Sequence, residues 1–222
     1  MLIAVNAGNS RVSLGGYEED RQVFSASIAT EPKHTRDDYA CRIQQVLLLH
    51  AIDARRIHGG IVSSVVPSMV TVLEGALRLL GIRDVIEVSS GVKTGLNIRS
   101  EQPRQVGSDR VAGSAITTGV QLSLLALREQ AAQLPAVALE ARDENILARN
   151  TADAMRVGTI YGAASMVDGM IGRFAEALGE HPHTVITGAL APLITPYLTI
   201  PFEYDESLVL DGLHLIWKKN RS

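Results

Sequence analysis

The feature that most constrains this chain is its opening succession of short runs and tight turns. Leu2–Val5 is apolar and stops at Asn6-Ala7-Gly8-Asn9-Ser10; Arg11–Tyr17 and Gln22–Ile28 then alternate apolar and polar residues. Runs this short, broken by Gly and Asn, predict three strands joined by turns. Arg36–Ile52 switches to helical spacing through Tyr39, Ile43, Val46 and Leu47. Ile61–Val66 is a buried strand. Pro67 suits a first helical position, and Val70, Leu73, Leu77 and Leu80 follow at helical spacing up to Gly81. Val85–Val88 is the next strand. The order β-β-β-α-β-α-β predicts an α/β protein.

Beyond this, 91–105 is polar and interrupted by Gly95 and Pro103, as an active loop or linker is, and 109–115 is a possible helix start. Gln121–Leu134 and Thr151–Leu178 predict helices, Thr184–Thr187 a short strand, and Val209, Leu213, Ile216 and Trp217 a closing helix. Hydrophobic residues make up 46% of the 222 and aromatics only 4%, so aliphatic side chains must build the core. The formal charge of -3 offers no excess of cations for a nucleic-acid backbone. Cys41 is the single cysteine, which excludes an internal disulfide and a cysteine cluster for zinc; its place on an amphipathic helix predicts a core thiol. The six histidines lack metal-ligand spacing, and no metal ligand is assigned. No stretch reaches the roughly 18 apolar residues of a membrane span, and the opening residues do not read as a secretory signal. The expected location is the cytoplasm.

Three segments carry chemistry. Asn6-Ala7-Gly8-Asn9-Ser10 between two strands can aim backbone N–H groups at phosphate oxygens, although ordinary hairpins use the same residues. Asp109, between Arg104 and Arg110, is kept ionised by nearby cations and fits a general base; it equally fits a helix N-cap. Thr151 stands where it can cap the long helix.

In order and spacing these segments resemble the type III pantothenate kinases, some of which carry the older name Bvg accessory factor. The opening turn looks like the family's Asp-x-Gly-Asn-Thr. Gly107-Ser108-Asp109-Arg110 is similar to its Gly-Ala-Asp-Arg. Asn150-Thr151, Val167-Asp168-Gly169, Thr187-Gly188-Ala189 and Leu210-Asp211-Gly212-Leu213 match further family motifs. The resemblance implies two ribonuclease-H-like lobes of the sugar-kinase/actin superfamily, at 1–112 and 113–222, and a homodimer. It implies ATP-dependent phosphorylation of pantothenate to 4′-phosphopantothenate, the first step of coenzyme A synthesis. Asn6, Gly8, Asn9, Ser10 and Arg11 would bind the nucleotide, and Asp109 would be the base. Gly107, Ser108, Arg110 and Ser100 would meet pantothenate, with Thr151 contributed by the partner subunit. Mg2+ and a monovalent cation, K+ or NH4+, are implied as cofactors.

The chain departs from that pattern at three places. Asn6 replaces the leading aspartate, and Ser100 stands where the family usually has Tyr. A few dozen residues are missing after Gly113, including the Asp-Phe-Gly-Thr-type turn that supplies the usual monovalent-cation ligand. The second lobe is therefore expected to lack its first strands and to expose an apolar edge. These departures raise a second reading: a non-catalytic pantothenate-binding or regulatory homologue with impaired nucleotide binding.

Overall fold

The computed structural model describes residues 1–89, 91–94, 114–130, 134–140 and 145–221. The chain divides into two compact units, Met1–Ser114 with Ser207–Ser222, and Ala115–Glu206.

The first unit is built on β1 (Leu2–Ala7), β2 (Arg11–Glu18), β3 (Arg21–Ala29), α1 (Arg36–Leu49), β4 (Gly59–Ser64), α2 (Pro67–Leu79) and β5 (Val85–Glu87). Its sheet has the order β3-β2-β1-β4-β5. β1 and β2, and β2 and β3, run antiparallel; β1, β4 and β5 run parallel. β1 is apolar at nearly every position because both of its faces are covered. Ile3, Val5 and Ala7 point to one face and pack with Tyr39, Ile43 and Leu47 of α1 and Leu73 and Leu77 of α2. Leu2 and Ala4 point to the other, joining Ile61 and Val88 under Leu210, Leu213 and Trp217.

Those last three residues belong to α6 (Leu208–Arg221). The helix therefore completes the first unit, which corrects the expectation that all of 113–222 forms the second lobe. The seat for α6 is prepared in the sheet: a Cβ at Gly59 would fall inside the ring of Trp217. Tyr17 Oη donates to Asp211 Oδ1 at 2.7 Å, Ser207 Oγ donates to Asp211 Oδ2 at 2.9 Å, and the rings of Tyr17 and His214 stack 4.5 Å apart. The Leu210-Asp211-Gly212-Leu213 motif is thus a docking device.

Helix ends follow local chemistry. Thr35 and Asp38 form a capping box at the start of α1. The helix ends at Leu49, three residues short of the expected Ile52, because Ala51 turns into the left-handed region (φ 56°) and the Ile52 N–H returns to Leu47 O at 2.8 Å. Gly81 (φ 87°) ends α2 in the same manner, as its residue type announces. Cys41 is exposed on α1, against the expectation of a core thiol.

The second unit holds α3 (Val120–Gln130), α4 (Thr151–Leu178), β6 (Val185–Ile186), α5 (Ala191–Ile194) and β7 (Glu203–Tyr204). Its described sheet is one parallel pair of two-residue strands. Val120, Leu124, Met155, Ile160, Ala164, Ala175 and Ala191 are buried, while Ile116, Leu122, Leu147 and Leu178 are exposed. Asp168 accepts hydrogen bonds from Thr199 N–H at 2.9 Å, from Thr199 Oγ1 at 2.6 Å and from Ile200 N–H at 3.4 Å, so the Val167-Asp168-Gly169 motif ties α4 to the segment before β7. Gly188 (φ 111°) turns the chain from β6 into α5.

Candidate functional site

The Asn6–Arg11 turn stands at the carboxyl end of β1, beside the carboxyl end of β4. This is the edge at which open α/β sheets receive ligands. Gly8 N–H donates to Arg11 O at 2.9 Å and closes the turn. Buried Thr30, one residue past β3, clamps it twice: its Oγ1 donates to Gly8 O at 2.8 Å and its N–H to Ser10 O at 3.1 Å. From the other side, Val65 N–H and Ser64 Oγ donate to Ala7 O at 3.1 and 3.2 Å. Thr30 and Ser64 escaped the sequence reading. Their only signal is a hydroxyl directly after an apolar or alternating run, which many surface strands share.

The clamps leave the outer part of the turn available. Asn9, Ser10 and Arg11 are exposed, and Gly8 and Asn6 are partly buried. Among the described residues, the Asn9 and Ser10 N–H groups donate to no backbone acceptor. Consecutive free amides of this kind make an anion cradle. Register extends the polar surface across the sheet. Asn6 is paired with Ser13 on β2 and with Ser63 on β4, and Ser13 is paired with Ser27 on β3. Directly paired residues share a face, so Ser27, Ser13, Asn6 and Ser63 form one row. It lies on the face of Leu2 and Ala4, beyond the part that α6 covers.

Ser100, Gly107, Ser108, Asp109 and Arg110 lie outside the described residues, as does the expected helix start at 109–115 up to residue 113. The described chain that precedes them is held at Lys93, whose N–H donates to Asn220 Oδ1 at 3.2 Å and whose O accepts from Asn220 Nδ2 at 3.1 Å. Thr151 is exposed in the second unit and is not the cap of α4. That position belongs to Asn150, whose side chain accepts the Asp153 N–H at 2.9 Å. The structure thus brings together Asn6, Gly8, Asn9, Ser10 and Arg11.

Perturbed carboxylates mark other places. Arg55 holds the Asp53 carboxyl down at about 2 in an exposed pair. Asp20 is lowered by its hydrogen bond from Lys218, and Asp38 by the Thr35 N–H of the capping box. All three belong to surface pairs or caps. Among the described residues no group of three or more His, Cys, Asp or Glu side chains is placed to hold a metal ion. No helix among them is long and apolar enough to cross a membrane.

A profile of the type III pantothenate kinases matches residues 2–114 and, as a second stretch, 111–173. The type III pantothenate kinase of Geotalea daltonii is 32% identical over 256 positions, which cover 100% of this chain and 99% of that protein. That of Anaeromyxobacter sp. strain Fw109-5 is 33% identical, with 100% of both chains covered. These alignments run to 256 positions against 222 residues here, a difference of 34. The profile match restarts at 111, beside the point where the sequence reading placed the loss. Among solved structures, component A of the Acidaminococcus fermentans (R)-2-hydroxyglutaryl-CoA dehydratase aligns with a TM-score of 0.52 at 14% identity, over 100% of this chain and 99% of that one. The activator of the Clostridium difficile 2-hydroxyisocaproyl-CoA dehydratase aligns with a TM-score of 0.51 at 10% identity, over 99% and 97%. At these identities the likeness is one of fold alone, a mixed α/β fold.

Proposed function

Since the chain belongs to the type III pantothenate kinase family, we propose that it transfers the γ-phosphoryl group of ATP to the hydroxyl of pantothenate, yielding ADP and 4′-phosphopantothenate. The observation that carries this reading is the family match across the entire chain, and the resemblance of Gly107-Ser108-Asp109-Arg110 to the family signature supports it.

The roles follow from the chemistry of phosphoryl transfer, which needs positioning and charge stabilisation more than covalent participation. The pantothenate hydroxyl oxygen attacks the γ-phosphorus as the bond to the β-phosphate oxygen breaks. Asp109 takes the hydroxyl proton. Gly107, Ser108 and Arg110 hold pantothenate, and Ser100 leaves room where the family usually has a tyrosine ring. The clamped turn, Asn6 to Arg11, meets the phosphates of ATP. The setting is the cytoplasm.

A homodimer, with Thr151 contributed across it, is part of this reading, and α4 supports it. Gly158, Gly162, Ser165, Gly169 and Gly172 follow at turn spacing, all exposed on one face of the 28-residue helix. Each exposed helical glycine costs about 1 kcal/mol relative to alanine. That cost is offset where another backbone must approach closely.

The test is 31P NMR detection of 4′-phosphopantothenate from pantothenate and ATP, with Asp109→Ala as control. Product from the parent chain and none from the variant supports the kinase. Equal signals from both remove Asp109 from the reaction. The second reading, a non-catalytic pantothenate-binding regulator, draws on Asn6 and on the 34-position difference. It requires absence of product together with calorimetric binding of pantothenate.

A further inference from the structure

The family's chemistry implies Mg2+, and the carboxyl edge of the first unit can be tested for its fit to that ion. A hard divalent cation is held by oxygen ligands, with carboxylates supplying the charge. The four positions in register across β3, β2, β1 and β4 are Ser27, Ser13, Asn6 and Ser63. Ser27, Ser13 and Asn6 offer two hydroxyls and one amide, Ser63 is buried and already engaged, and none of the four is a carboxylate. The adjoining turn adds Arg11, a cation. Among the described residues of this edge, the donor set does not fit a divalent ion held by side chains.

The same groups suit an anion. An asparagine amide donates through Nδ2, where an aspartate at the same place only accepts. Ser13 donates through its hydroxyl. Asn9 and Ser10 are exposed residues whose N–H groups are unengaged by backbone acceptors among the described residues. Thr30 and Ser64 hold the turn rigid from both sides, so the cradle is formed before a ligand arrives. A phosphoryl oxygen beside Asn6 gains a hydrogen bond; beside an aspartate in its place it would meet a like charge that only an intervening cation relieves.

We infer that the Asn6 row and the Asn9–Ser10 turn bind the phosphates of a nucleotide by direct hydrogen bonds, without a divalent ion held between protein and phosphate. This rests on the nucleotide reading above, and it separates binding from metal at a place where an aspartate would couple them.

The experiment is isothermal titration calorimetry of the full chain with ADP, in EDTA and in excess Mg2+, for the parent protein, Asn6→Asp and Asn6→Ala. The expected parent affinity differs less than about three-fold between the two conditions. Asn6→Asp should bind ADP about ten-fold or more weakly in EDTA and recover in Mg2+, since hydrogen bonds to charged groups carry about that much binding. Asn6→Ala, which keeps the site neutral and tests the point if the aspartate variant fails to fold, should lose about ten-fold in both conditions. Parent binding that tightens ten-fold or more with Mg2+ would overturn the inference, as would no ADP binding in either condition. Phosphorylation of pantothenate is read separately by 31P NMR: metal-independent ADP binding without product leaves the inference standing and removes the kinase reading.

Discussion

At the scale of single residues, Gly59 shows how a missing side chain positions a helix. Gly59→Ala puts a methyl group into the ring of Trp217, and such overpacking costs about 1–3 kcal/mol. Trp217 is the only tryptophan in the chain, so its fluorescence during urea unfolding reports the contact directly. A lowered midpoint with a red-shifted native emission is expected; an unchanged pair of values would mean that α6 does not rest there. Asp168 makes a second case. Burial opposes its ionisation, but the hydrogen bonds from Thr199 and Ile200 outweigh it and hold the carboxyl below its ordinary value. The stabilisation is present above the unfolded value of about 3.9 and disappears as pH falls through the lower folded value. Asp168→Ala should cost about 1 kcal/mol at neutral pH through the lost hydrogen bonds, and parent and variant should converge in urea midpoint as pH falls through the carboxyl's lowered folded value. Neither residue's partner was legible in the sequence, because Gly59 meets a ring 158 positions away and Asp168 an amide 31 positions away. The Asn6–Ser10 turn was legible as a turn because it is local: five consecutive residues form it.

Among elements, the order of strands and helices through β5 follows from periodicity alone. What periodicity misses is the short and the irregular. β7 and α5 are two and four residues long, too brief to show a period. α1 ends at an alanine in the left-handed region, where a glycine would have announced the stop. The cap of α4 divides two neighbouring polar residues that are equivalent by type, and backbone geometry gives the position to Asn150. Asn150→Ala should cost about 1 kcal/mol, whereas Thr151→Ala should stay within about 0.5 kcal/mol, both read by far-UV circular dichroism during thermal unfolding. Equal effects would return the cap to Thr151. The glycine face of α4 belongs to this scale as well. In the proposed homodimer, Gly162→Leu should shift dimer to monomer in sedimentation velocity at micromolar concentration without loss of helix. A dimer that survives the leucine would place the subunit contact elsewhere.

For the whole molecule, the two units differ in how much apolar surface each encloses. The first covers one face of a five-stranded sheet with α1 and α2 and part of the other with α6. The second buries seven apolar side chains among its described residues and leaves Ile116 and Leu147 about three-quarters exposed, at 77% and 75%. Local opening follows such differences. Hydrogen exchange should show β1, β2 and β4 as the slowest amides and β6 and β7 among the fastest; comparable protection in β6 and β1 would contradict this. The apolar run of β1 already required two covered faces, but nothing in the sequence states which helix covers the second one. That pairing depends on Tyr17 and Asp211, which are 194 residues apart.

The return of α6 has a consequence for how the protein comes off the ribosome. Residues 1–88 can form their strands and seat α1 and α2 early in translation. Leu2, Ala4, Ile61 and Val88 nevertheless lack their helical cover until 208–221 have emerged, because among the described residues that cover is α6. At roughly 5–20 residues added per second, the intervening 119 residues take several seconds or more to synthesise. During that interval an apolar sheet face is open to other nascent chains. A trigger-factor-type chaperone that binds exposed aliphatic surface would meet its target on this first unit, well before the second has finished being made.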